Sequence, residues 1–257
     1  MIRGLYTAAS GLLFGIRQQE VAANNLANTG TSGYKSESAA ATAFGATLAR
    51  RVGRSDAPVP VALNEVIGTL GGGVYQSIRR SDFAVGTLRA TKQPLDLAIS
   101  GPAFFVIATP EGVQYTRDGH FGRDRDNQLI TAEGHAVLDD GGAPIVIETD
   151  NVRVTPTGEI LAGDQPIATL QLVTIDRDNA VRAGGTRYML AAGAAAPITA
   201  EDAVTVRQGA LEEANVDVGR AATDVLGASR AFEANQHVFK TLSETLEATV
   251  RDVGRVG

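Results

Sequence analysis

Three places in the chain hold residue types that could do chemistry. Thr116-Arg117-Asp118-Gly119 sets a cation beside a carboxylate, the makings of an acid–base pair. Neighbouring residues of one strand point to opposite faces, and Asp-Gly is a turn signal, so the turn reading is the stronger. Asp124-Arg125-Asp126-Asn127 matches the opening of a calcium loop. It lacks the Gly at position six and the Glu at position twelve, where His135 stands, so a hairpin turn is preferred. His120, His135 and His237 show no metal-ligand spacing. Gly71-Gly72-Gly73 lacks the Lys and helical pattern of a phosphate loop, and neither a Gly-x-Ser-x-Gly nor a dinucleotide fingerprint is present. The chain has no Cys, which removes disulfides and thiolate metal sites. No catalytic residue, cofactor or metal is expected, and the protein reads as something other than an enzyme.

What remains is the framework. At 257 residues, 44% hydrophobic and 20% charged, the chain can bury one large core or two modest ones. A net charge of -6 argues against nucleic acid, because phosphate binding needs clustered Lys and Arg. The basic clusters Arg50-Arg51 with Arg54 and Arg79-Arg80 read as solvated surface. No apolar run of about 18 residues appears, so no membrane insertion is expected. The N-terminus carries no cleavable secretory pattern.

The ends differ from the middle. Ile2, Leu5, Ala9, Leu12, Ile16, Ala23 and Leu26 recur in steps of three and four, broken only by Gln19. Gly11 and Gly15 lie one turn apart in that helix, at about 1 kcal/mol each relative to Ala, which suggests close approach by a neighbour. Val218, Ala221, Val225, Ala228, Phe232, Phe239, Leu242, Leu246 and Val253 form a longer seam, with Asn235 and Thr249 as polar members. Asn215 and Asp217 suit its N-cap. Between the ends, short alternating or apolar runs read as strands: 95–99, 103–107, 113–117, 128–131, 145–148, 152–155, 160–162 and 167–175. Turn residues separate them, among them Asp126-Asn127, Asp139 to Gly142, Thr157-Gly158 and Gly163-Asp164. Residues 36–75, rich in Ala, Ser, Gly and Pro, read as an extended linker.

The expected fold class is α+β. Long N- and C-terminal helices form a coiled-coil-like axial core, with a central antiparallel β domain. The expected domains are 1–35 with 211–257 as the helical core, 36–75 as the linker and 76–210 as the β-rich domain.

Asn24-Asn25-Leu26-Ala27-Asn28-Thr29-Gly30-Thr31-Ser32-Gly33-Tyr34-Lys35 resembles the N-terminal motif of flagellar rod and hook axial proteins. Leu95 to Gly101 with Phe104-Phe105-Val106, then Tyr115 to Phe121 and Leu129-Ile130-Thr131, resemble that family's central motif. Gly209 to Val216 and Arg230-Ala231-Phe232-Glu233-Ala234-Asn235 resemble its C-terminal one. The likeness runs in order over nearly the whole chain.

The resemblance implies a basal-body rod subunit that leaves the cell unfolded through the flagellar type III export apparatus. It then assembles helically, with its own copies and other rod and hook axial proteins, into the rod that crosses the periplasm. The interval from Lys35 to Leu95 resembles the distal rod type and Gly141 to Ile147 the proximal type, with the distal slightly favoured. Subunit packing is expected from Leu5, Leu12, Ile16, Asn24, Asn25, Leu26 and Asn28, and from Val225, Phe232, Asn235, Phe239, Leu242 and Leu246. Asn24, Asn25 and Asn28 suit helix termination as well as bonds to a neighbour, and Asn235 suits register fixing as well as a place facing the channel. The alternative is an extracellular binding module whose β domain recognises a ligand, though such a module has no need of long paired termini.

Overall fold

The heptad patterns at the two ends become the two α-helices found among the described residues. In the computed structural model, which describes residues 2–43, 47–51, 65–70, 74–199 and 204–254, α1 spans Ile2–Ala27 and α2 spans Val218–Gly254. At 1.5 Å per residue they are roughly 39 and 55 Å long. The chain divides into two compact units. One holds Met1–Asn24, Glu37–Arg80 and Gly219–Gly257; the other holds Asn25–Ser36 and Ser81–Val218.

The helical unit contains more than helices. Where an extended linker is expected over 36–75, Glu37–Ala43 pairs with Val74–Ser81, and Thr47–Arg51 pairs antiparallel with Glu65–Leu70. Small side chains hide the period-two signal, because Ala and Gly give little contrast between faces. The second strand of the first pair lies along α1. Ser10 Oγ accepts from Val74 N at 3.2 Å, and Arg79 meets Glu20 at 2.9 Å. Ten helical residues and five strand residues cover nearly the same distance, about 15 and 17 Å, so the two elements run side by side. Gly71-Gly72-Gly73 and Arg54 lie outside the described residues.

The β unit is antiparallel, as alternating short runs predict. Among the described residues its largest sheet has nine strands, and Phe104–Thr109 lies at the centre of it. That strand pairs with Gly112–Thr116, Ala136–Val137 and Leu172–Thr174. Both of its faces are buried. Phe105 and Ile107 join one core with Leu97, Ile99, Phe121, Leu129 and Ile160, while Phe104 and Val106 join another with Phe83, Tyr115 and Tyr188. This explains why 103–107 is an unbroken apolar run rather than an alternating one.

Two sequence readings are corrected in detail. Residues 145–148 make one isolated bridge, Val146 to Gln128, rather than a strand. Residues 167–175 are two strands, Gln165–Thr169 and Leu172–Thr174, in different sheets. Between them Leu170 donates to Gly158 O at 2.9 Å, in register with the first pairing, and bridges Asp139, where the chain passes to the other sheet. Asp124 to Asn127 is a hairpin turn. Asp124 Oδ1 accepts from the N–H groups of Asp126 and Gln128, and Asn127 takes φ 60°.

Candidate functional site

The helix pair is built on small residues. A Cβ on Gly4 would lie 3.6 Å from Leu242, one on Gly11 would lie 3.3 Å from Asn235, and one on Gly15 would lie 3.5 Å from Phe232. Gln19 reaches Ser229 at 3.5 Å. Positions rise along α1 as they fall along α2, so the helices run antiparallel. The line on α1 that faces α2 therefore starts one residue before the expected seam. Gly4, Gly11 and Gly15 stand where Leu5, Leu12 and Ile16 are expected, a rotation of roughly 100°. Glycines let the large α2 side chains sit against the α1 backbone, while Leu5 and Leu12 flank the contact half-buried and Ile16 stays 40% exposed.

On α2 much of the expected stripe is at least partly covered within the chain. Ala221 and Ala228 are buried, and Val225, Phe232, Asn235, Phe239, Leu242 and Leu246 are half-buried. Val218 and Thr249 are exposed, and the side chain of Val253 lies outside the described residues. Asn235 donates to Gly11 O at 3.4 Å, so a polar seam residue bonds the backbone of the facing helix.

The Asn-rich end of α1 divides its roles. Asn24 is exposed, and Leu26 is half-buried and accepts from Thr29 at its carbonyl. Asn25 Oδ1 accepts from Tyr34 Oη at 3.0 Å, and Asn28 Oδ1 accepts from Thr31 Oγ1 at 3.1 Å. These bonds are local and hold the turn that follows the helix. Asn215 is not spent on the N-terminus of α2. Its Oδ1 accepts from Ser36 N and its Nδ2 donates to the carbonyls of Asp82 and Ala84, which ties three segments of the β unit together.

A second constellation lies buried in the β unit, and local sequence patterns do not reveal it. Lys35 and Glu212 have side chains with no exposure, and that of Arg117 is 1% exposed. Glu212 Oε1 accepts from Lys35 Nζ at 2.6 Å and from Gly86 N at 2.8 Å, and its Oε2 accepts from Arg117 Nη1 at 3.1 Å. Lys35 Nζ also donates to Ala84 O at 2.7 Å. Arg117 donates to the carbonyls of Ile99 and Gly101 and lies over the Phe104 ring at 5.2 Å. Its Nε is left without a partner.

Burial pulls the pKa of Lys35 down, and the hydrogen bond and charge of Glu212 oppose that pull. Burial likewise lowers that of Arg117. One carboxylate thus answers two cations in a water-excluded place, and breaking such a set by removing one member costs about 3–5 kcal/mol. The site has no opening for substrate, so the arrangement clamps rather than catalyses.

The backbone around this triad is equally tight. Gly33 takes φ +65°, and a Cβ there would fall 2.3 Å from Asp118 N. Its N–H donates to Glu212 O at 2.7 Å. Arg182 stacks on Tyr34 and Tyr188 with its guanidinium 4.6 and 5.2 Å from the ring centroids, and it donates to Lys35 O. Arg117 and Asp118 both lie past the strand, which ends at Thr116, so the opposite-faces argument does not apply to them. Asp118 lines a cleft of about 270 Å³ together with Asn28, Thr31, Thr131, Glu133 and Arg187. Burial raises the pKa of its carboxyl, against the His120 backbone N–H that bonds it.

Comparison with known proteins finds the same three segments. Residues 5–35 match the model described as flagella basal body rod protein. Residues 98–162 match the flagellar hook protein FlgE/F/G D1 domain, and residues 207–252 match the C-terminal region of flagellar basal body rod FlgEFG proteins. Full-length relatives include the flagellar hook-basal body complex protein FlhO of Bacillus subtilis, 30% identical over 100% of both chains. The flagellar basal-body rod protein FlgF of Mesorhizobium japonicum is 30% identical over 97% of each chain. The flagellar basal-body rod protein FlgG of Agrobacterium fabrum is 30% identical over 95% of this chain and 96% of its own. Each matched segment supplies one member of the buried triad: Lys35, Arg117 and Glu212.

Proposed function

This chain belongs to the flagellar basal-body rod and hook protein family, a structural and non-enzymatic one, and from that premise we propose that it is a rod subunit that assembles helically with its own copies and with other axial proteins. The observation that carries the reading is the outer surface of the helix pair. With α2 seated on the glycine line, α1 still exposes Tyr6 and Leu13 at 72% and 66%, and α2 exposes Leu226 at 58% and Val250 at 66%. Large apolar side chains on both helices of one unit suit burial against further helices. Leu5, Leu12, Ile16 and the Asn24 to Asn28 segment, with Val225 to Leu246 on α2, then serve subunit packing either directly or by shaping the pair.

The subunit passes through the flagellar type III export apparatus and stands in the periplasm-spanning rod. No helix among the described residues is long and apolar enough to cross a membrane. The distal part of the rod is favoured over the proximal on the length of chain between Lys35 and Leu95.

Sedimentation of the full chain at rising concentration tests assembly, compared with a Leu13→Lys, Leu226→Lys double variant. The native chain associates and the variant stays monomeric with an unchanged β-unit melt. A native chain that is monomeric at all concentrations, and a strain lacking it that builds complete basal bodies, would overturn the proposal. Electron microscopy of basal bodies carrying a tagged copy separates the distal from the proximal position.

A further inference from the structure

We infer that the Lys35–Arg117–Glu212 triad acts as a completion check on folding: the β unit cannot close over its two buried cations until Glu212, near the unit's C-terminal end, is in place. The inference concerns folding order and does not depend on where the finished subunit is used.

The argument starts from chain order. Chains appear N-terminus first, so Lys35 comes out early, Arg117 next and Glu212 late. Every residue of the two apolar cores lies between Phe83 and Val206. On apolar grounds alone the cores could close before Glu212 exists. Arg117 prevents this. It directly follows the strand Gly112–Thr116, and its guanidinium lies over Phe104, a member of one core. Closing that core buries the guanidinium, whose like-charged neighbours are Lys35 and Arg177. The carbonyls of Ile99 and Gly101 accept from it, and Asp82 faces Lys35, but the carboxylate in contact with both cations belongs to Glu212.

The arrival of Glu212 places two segments at once. The strand Ala210–Glu212 pairs with Leu88–Ala90, and Glu212 O accepts from Gly33 N. The segment that holds Lys35 is early in the chain, yet its anion and its backbone acceptor come from the same late residue, 177 positions away. The earliest part of the β unit is thus fixed by the latest. Until then two buried cations would stand together with no carboxylate in contact with both, an arrangement that lowers a folding constant by roughly a hundredfold to several thousandfold.

The test uses the full chain and amide exchange at 97–99 and 104–107, with refolding rates from urea. Glu212→Gln keeps the shape and removes the charge. It is expected to lower the folding constant of the β unit at least a hundredfold and to slow refolding at least tenfold. Adding Lys35→Met removes one of the unanswered cations and is expected to recover at least tenfold in the constant. Native-like stability and refolding in Glu212→Gln would overturn the proposal. So would a second loss on adding Lys35→Met, or a Glu212→Gln defect seen only in unfolding rate, since Glu212 would then settle after closure. If Glu212→Gln does not fold at all, the double variant decides: folding supports the check and failure sinks it.

Discussion

The helical unit and the β unit differ in what they bury, although both leave some large apolar side chains in solvent. In the helical unit the ion pairs Arg17–Glu20, Lys240–Glu244 and Arg251–Glu247 are all more than two-fifths exposed, and large apolar residues stand in solvent. In the β unit the triad is buried and two cores take up Phe104, Phe105 and Tyr188 almost completely. Exposed pairs are worth little, about 0–1 kcal/mol, while a buried set is costly to break. The β unit thus has buried charge and apolar cores of its own, while large apolar residues on the outer surface of the helical unit stay exposed in the single chain.

The largest expected effect sharpens that contrast. Arg117→Ala leaves Glu212 with one cation and frees the Ile99 and Gly101 carbonyls, and urea unfolding should show a loss of about 3–5 kcal/mol. Gly33→Ala comes next. Its left-handed φ costs roughly 1–2 kcal/mol with a side chain present, and the contact with Asp118 N adds to this. The melt should fall in the β unit first.

Two charges in the helical unit would break the comparison if they unfolded the other half. Phe232→Asp or Leu242→Asp sets a carboxylate against the glycine line, at about 1–3 kcal/mol. Each should abolish motility and association while amide exchange at 104–107 stays slow. Exchange in the free native chain separates the units without mutation. Residues 4–24 and 219–250 should exchange fast, because a helix covered on one side only is marginal in water, and strong protection there would show that the intramolecular pair suffices.

Asp118→Asn should give a small effect. Burial raises the Asp118 carboxyl pKa in the folded chain, so the native state holds that proton more tightly than the unfolded one. Its contribution is full below the ordinary carboxylate range and is lost as pH rises through the raised native value. Asp118→Asn keeps the acceptor for His120 N and removes the charge, so it should flatten stability across that window and gain slightly at neutral pH. Arg251→Ala, at an exposed helical pair, should change the melt by less than about 0.5 kcal/mol.

A fragment meant to isolate the β unit shows how much of the fold was legible. Residues 76–210 are the expected β-rich domain, yet that span omits both Lys35 and Glu212. The central strands were readable because alternation and apolar runs are local signals, and so were the turns at Asn127, Gly142, Gly158 and Gly163, all with positive φ. The strands at Ala180–Gly184 and Arg187–Leu190 were not, since Gly and Arg dilute their period.

The sequence by itself determined the two terminal helices, the antiparallel middle, the lack of a Gly-x-Ser-x-Gly, phosphate-loop or dinucleotide motif, and the family. Each of these rests on neighbours within a few positions or on ordered motifs. Tertiary structure decided which face of α1 meets α2, because a three-and-four spacing marks a stripe of large residues, whereas close packing chose the small ones beside it. It also decided the meeting of Lys35, Arg117 and Glu212. Glu212 lies 177 residues from Lys35 and 95 from Arg117, and no local pattern records a partner so distant. A lone Lys, Arg or Glu reads as solvated surface until the fold removes the water from around all three, and only then does their pairing become obligatory.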